Sequence, residues 1–145
     1  MTVQTQNTSL TSQSPAQELV ESLFSAFGRG DIPYILNHVS KDCRWVAPGE
    51  GYVPIGGEYS GPEGVARFFE ILSQTEEITV FEPREFFSKG DDVVVLGTEE
   101  ARVIKTGKVA RSNWSMVFRI RDGQICEWEQ LFDSALYAKA HQDGL

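Results

Sequence analysis

The chain has little of what marks several functional classes. Its 13 Lys and Arg are outnumbered by 21 Asp and Glu, and the formal net charge is −8. Nucleic-acid binding depends on clustered Lys and Arg that neutralise phosphates. The basic residues here are scattered, so no nucleic-acid partner is expected. There are only two cysteines, Cys43 and Cys126, and they form no metal-ligand or redox spacing. A disulfide between them stays open, with a reduced, cytoplasmic setting the better expectation. His38 and His141 have no carboxylate or cysteine neighbour at metal-ligand spacing, so no bound metal is expected. No apolar run approaches the ~20 residues of a membrane span, which argues against a membrane partner. There is no Ser-His-Asp order, no nucleophile elbow and no cofactor motif. The glycine-rich stretch 49–64 lacks the Lys-Ser/Thr pair of a phosphate cradle.

What is present suffices for one domain. A chain of 145 residues with 41% hydrophobic content can build a sizeable core, and a domain of this size buries roughly 70% of its unfolded surface. Residues 1–14 are polar, rich in Thr, Ser and Gln, without the basic start and apolar run of a secretory signal. We read them as a disordered tail, residues 15–140 as the domain, and 141–145 as a C-terminal tail.

Helices come first. Ser14-Pro15-Ala16-Gln17 has the form of a capping box, with proline at the first helical position. Leu19, Val20, Leu23, Phe24 and Phe27 then recur at helical spacing, and Gly28 and Gly30 supply the stop. Asp31 can cap a short second helix, and a third is expected from about Pro62 to Gln74. After that the period switches to two. Strands are expected over 78–88, 93–105, 109–121 and 125–132, with an extra one over 44–47. The turns between them, Lys89-Gly90-Asp91, Thr106-Gly107 and Asp122-Gly123, have hairpin chemistry and force antiparallel neighbours. The pattern is α+β, three helices packed on one curved antiparallel sheet.

A two-residue turn pairing Lys105 with Lys108 would set Glu99 opposite Trp114, Gly97 opposite Met116 and Val95 opposite Phe118. Those six would share the inward face, although a one-residue slip would bring in Glu100 instead of Glu99. In the last strand Cys126, Trp128, Gln130 and Phe132 share a face, and its aromatic content marks it as inner. Glu127 and Glu129 then meet solvent or a partner subunit.

Four motifs together resemble a known group. They are the helix ending in Gly30-Asp31, the Trp45 to Pro48-Gly49 strand end, Gly61-Pro62-Glu63-Gly64 before Phe68-Phe69, and the run from Asp122-Gly123 to Phe132-Asp133. The group is the SnoaL-like domain of the nuclear-transport-factor-two-like superfamily, which also holds ketosteroid isomerases and limonene epoxide hydrolases. The resemblance spans about Pro15 to Ala138. It implies a cone-shaped, cystatin-like α+β barrel, a pocket between helices and sheet, and a homodimer made through the sheet. The isomerase machinery does not carry over. Its general base falls on Ala47, its tyrosine donor near Leu23 and its protonated aspartate near Met116. An aliphatic side chain neither moves a proton nor donates to an oxyanion. The hydrolase pattern of two aspartates bridged by an arginine finds no match either.

Within such a pocket, Glu99 is the candidate acid or base, because a desolvated carboxylate beside an indole has a raised pKa. Trp45, Trp114 and Trp128, with Phe68, Met116 and Phe132, would offer contact area to a small apolar, cyclic ligand. Gln130 would orient that ligand, and Tyr52 and Tyr59 on the glycine-rich loop could close the mouth. Asp133 is expected to cap a helical tail over 135–140. Two functions remain: a cyclase- or isomerase-type enzyme using carboxylate chemistry, or a non-catalytic carrier of hydrophobic ligands.

Overall fold

In a computed structural model of the chain, which describes residues 14–143, the capping serine starts the first helix, α1 (Pro15–Gly28). Ser14 Oγ accepts from the Gln17 backbone N–H at 3.0 Å. The Gln17 carboxamide does not return to Ser14. It donates to Glu21 and accepts from Ser88 Oγ, each at 3.2 Å, so half a capping box forms. The other half ties the helix to the sheet. The expected tail over residues 1–14 lies, but for Ser14, outside the described residues.

Helix α1 buries Val20, Leu23 and Ala26, and stops before Gly30, whose φ of 76° suits only glycine cheaply. Helix α2 (Ile32–Leu36) is capped by Asp31, which accepts from the Tyr34 N–H at 3.2 Å. Strand β1 (Val39–Ala47) and the short β2 (Gly57–Ser60) precede α3 (Gly61–Thr75). The meander follows as β3 (Glu76–Lys89), β4 (Asp92–Val103), β5 (Val109–Arg121) and β6 (Gln124–Phe132), and α4 (Ser134–Ala140) closes the chain. Strand β2 lies where the sequence reading has only a loop. Four residues beside glycines carry no alternation to betray a strand.

The six strands form one curved sheet in the order β2-β1-β6-β5-β4-β3. It is not antiparallel throughout, because β1 runs parallel to β6, with Trp45 beside Trp128. Most of the chain separates those two strands, so no hairpin dictates their direction. The β5–β6 turn is a two-residue one with positive φ at both Asp122 and Gly123.

The β4–β5 connection corrects the expected register. Val103 N–H donates to Lys108 O, and Gly107 N–H to Val103 O, each at 2.8 Å. The loop therefore holds four residues, not two. Glu99 faces Ser112, Gly97 faces Trp114, Val95 faces Met116 and Val93 faces Phe118. The slip is by two, an even number, so every side chain keeps its face. A second irregularity lies between Arg119 and Ile120, where the β5–β6 register shifts. It turns Ile125 inward in place of Cys126, which is only half-buried and donates its thiol to Arg119 O at 3.3 Å. Both cysteines are free. Burial pushes the Cys43 thiol up to about 12.

Candidate functional site

The concave side of the sheet and helices α1 and α3 enclose a cavity of about 70 Å³, several times the roughly 10–15 Å³ one water needs. Its wall is mostly apolar. Phe24 and Phe27 come from α1, Phe68, Phe69 and Leu72 from α3, and Trp45, Phe81, Met116, Phe118, Trp128 and Phe132 from the sheet. Trp45 stacks on Trp128 with ring centroids 4.2 Å apart, which stiffens one side.

Four polar side chains break that wall: Glu76, Glu99, Gln130 and Tyr137. Strand β4 alternates strictly, so Glu99 points inward and is 7% exposed. Its neighbour Glu100 points outward to Arg111, whose guanidinium holds that carboxyl below its usual range. Tyr137 Oη donates to Glu99 Oε2 at 2.6 Å. Burial pushes the Glu99 carboxyl up to about 7; the Tyr137 hydrogen bond opposes this and the Glu76 charge adds to it. Burial and the adjacent Glu99 charge raise the Tyr137 phenol, so it stays a proton donor.

Tyr137 reaches that position because Asp133 caps α4, accepting from the Leu136 N–H at 3.0 Å. One turn of helix then carries the ring inward against Phe132. Glu76 opens β3 beside Val103, and burial pushes its carboxyl up to about 7 as well. His141 Nε2 lies 3.2 Å from Glu76 Oε2. Burial, and behind it the Lys105 charge, lowers the histidine. The expected tail residue is thus packed against an inner carboxylate 65 positions away.

Gln130 is 5% exposed and turns its carboxamide-bearing side chain to the cavity wall. Two indole N–H groups, those of Trp45 and Trp114, are buried without a partner. A buried donor left in that state costs roughly 1–3 kcal/mol, so the Trp45 N–H, on a residue that lines the cavity, favours a ligand with an acceptor.

Other expected site residues fall elsewhere. Trp114 lies behind the lining, against Phe24 and Phe81 at 6.0 and 5.1 Å. Tyr52 is 77% exposed in a separate depression with Lys105 and His141. Tyr59 sits on β2, donates to Ile55 O at 2.8 Å and packs on Phe68. Neither tyrosine lines the cavity: the glycine-rich stretch turns where the Tyr52 and Val53 N–H groups donate to Gly49 O, and it sends Ile55 to the cavity instead. Of the three isomerase positions, Leu23 and Met116 line the cavity as apolar groups, and Ala47 is buried beside Gly57. Among the described residues no three His, Cys, Asp or Glu gather as a metal site. No helix among them is long and apolar enough to cross a membrane.

Sequence reasoning missed Glu76, Tyr137 and His141. Glu76-Glu77 repeats the inward–outward pairing of Glu99-Glu100 and was the one legible signal. Tyr137 four residues past a capping Asp133 was a weaker one.

Helices packed on one curved six-stranded sheet are the architecture of NTF2-like proteins. A SnoaL-like domain model matches residues 20–128, and the chain belongs to that family. It is similar to an NTF2-like protein from Burkholderia xenovorans, at 28% identity and TM-score 0.80, over 88% of this chain and 96% of that one. An NTF2-like protein of unknown function from Burkholderia pseudomallei is similar at 30% identity and TM-score 0.78, covering 85% and 94%. The protein TerC, co-crystallised with polyporic acid, is 29% identical with TM-score 0.73, covering 88% and 98%. The curated proteins hold no match.

Proposed function

We propose that the chain is an acid–base enzyme of cyclase or isomerase type, acting on a small, largely apolar, ring-containing ligand. The observation that carries this reading is Glu99: a carboxyl poised near neutrality, held by Tyr137, in a mostly apolar cavity. A base that ionises near the working pH combines a populated charged form with real basicity. Glu99 takes a proton from the ligand and returns it at another atom. Tyr137 steadies the carboxylate before the first step and after the second. Gln130 and the Trp45 N–H meet the ligand's oxygen acceptor, and the stacked tryptophans hold its ring. The ligand of TerC makes polyporic acid the first compound to try.

The test pairs binding with conversion. Polyporic acid and related ring compounds are titrated against tryptophan fluorescence, then followed chromatographically for a product. Glu99→Gln should keep binding and abolish conversion. Conversion unchanged in that variant removes Glu99 from the mechanism. A carrier without chemistry is the second reading, favoured by the apolar Leu23, Ala47 and Met116 at the isomerase positions. It predicts saturable binding and no altered ligand with the native protein.

A homodimer through the outer sheet face belongs to this proposal. Leu96, Ser115 and Leu131 align across β4, β5 and β6 on that face, and both leucines are exposed.

A further inference from the structure

His141 and Glu76 form a contact that the chemistry at Glu99 does not account for. Glu76 lines the inner cavity, whereas His141 lines the outer depression with Tyr52, Thr75 and Lys105. Their side chains meet at 3.2 Å through the wall between the two spaces. A structural ion pair here would need both groups charged. Burial works against charge on each: it raises the carboxyl and lowers the imidazole. With burial favouring the neutral form of each, their contact at 3.2 Å is instead one across which a proton can move.

We propose that His141 and Glu76 are a proton relay through the wall of the cone, connecting bulk water to Glu99. This rests on the acid–base reading of Glu99 and assigns the two residues a positioning and transfer role, with no contact to the reacting ligand. An inward proton arrives at imidazole Nδ1 from the outer depression, and the Nε2 proton moves to Glu76 Oε2. Glu76 then passes it through a cavity water to Glu99, and its carboxylate is restored. The imidazole is left as its Nδ1–H tautomer. An outward proton retraces the path, entering at Nε2 and leaving at Nδ1, and resets the ring. Charge and protons balance in each direction.

The surroundings fit this use. Glu76, Glu99 and Tyr137 line the same cavity, and the Glu76 charge acts on both of the others. On the outer side Lys105 is drawn to Asp143 at 3.3 Å, which leaves it near the imidazole without occupying it. The end of α4 that carries His141 is fastened to the β4–β5 loop. Thr106 Oγ1 donates to Ala140 O at 2.7 Å, and Lys108 Nζ to Gln142 O at 2.8 Å. The ring is therefore held at the wall by contacts that do not use its nitrogens.

The test needs no substrate. The Tyr137 hydroxyl proton, held in a short bond to Glu99, is followed by NMR for its exchange with water in the free, full-length protein. His141→Ala and Glu76→Gln should each slow that exchange roughly tenfold or more. Added imidazole should restore it in His141→Ala, by filling the vacated space, and not in Glu76→Gln. A merely structural role would not respond to imidazole in this way. Exchange equal in all three proteins, or imidazole acting equally on both variants, overturns the relay. Glu76→Gln keeps the shape of the buried side chain, so the test stands even if His141→Ala fails to fold. Because exchange is read without turnover, loss of the relay and loss of the Glu99 chemistry are separate results.

Discussion

Tyr137 Oη stands 2.6 Å from Glu99 Oε2, so the last helix of the chain meets the middle of β4 at one hydrogen bond. That bond favours the charged carboxylate, while burial favours the neutral acid, and burial is the larger effect. The balance leaves Glu99 near neutrality.

Tyr137→Phe removes the opposing contribution and keeps the ring packing against Phe132. The Glu99 carboxyl should then titrate above about 7. Stability should drop by roughly 1–3 kcal/mol, because a buried acceptor loses its donor. Side-chain carboxyl carbon NMR across pH reads the first effect and urea unfolding the second. A Glu99 titration that stays in place would show that Tyr137 does not tune it.

Stability should fall as pH rises through the carboxylate window. Glu76 and Glu99 both have folded pKa values raised from 4.5 to about 7. Between those limits the folded state binds more protons than the unfolded chain. Each group's contribution is therefore complete below 4.5 and lost as pH passes about 7. A shift of that size corresponds to about 3 kcal/mol per carboxyl. His141, lowered by burial, works the other way below 6.5 and blunts the slope there. Urea midpoints measured from pH 5 to 8 should decline, and Glu99→Gln or Glu76→Gln should flatten the decline. A rise over that range would contradict the burial of these groups.

Much of this architecture was legible in the chain, and the failures have specific causes. Helix α1 and its serine cap could be read from apolar spacing, and the meander from its turns. Glu99 could be placed on the inner face because strand parity survives an even slip; the turn length that caused the slip could not be read from Thr106-Gly107. Cys126 went wrong because one local irregularity inverts parity before Trp128. Glu76 and His141 were invisible as a pair. Their contact depends on where α4 returns against β3, and no local pattern encodes a meeting across 65 residues.

Gly97 has no room for a side chain. A Cβ there would overlap the Trp114 ring and the Glu82 carbonyl oxygen on β3. Trp114 cannot yield easily, because Phe24 and Phe81 both pack against it. Gly97→Ala should therefore cost about 1–3 kcal/mol or more from overpacking. Chemical denaturation measures this directly, and a change within ~0.5 kcal/mol would mean that the indole can move.

The outer sheet face carries its own prediction. Leu96 is 37% and Leu131 58% exposed, and Ser115 between them leaves a shallow apolar row across three strands. Charges nearby are already neutralised within the chain: Arg119 bridges Asp92 and Glu127, and Arg44 bridges Glu58 and Glu127. Two copies can therefore meet there with most of the nearby charge paired, although exposed Glu129 beside Leu131 and a net charge of −8 on each copy oppose their approach. Salt screens that repulsion beyond about 10 Å at 0.1 M and leaves apolar contact intact. The native protein should thus scatter light as a dimer, more tightly with added salt. Leu131→Asp sets two like charges against each other at a self-matched surface and should leave monomers. A native monomer at micromolar concentration in high salt would remove this face as the dimer contact.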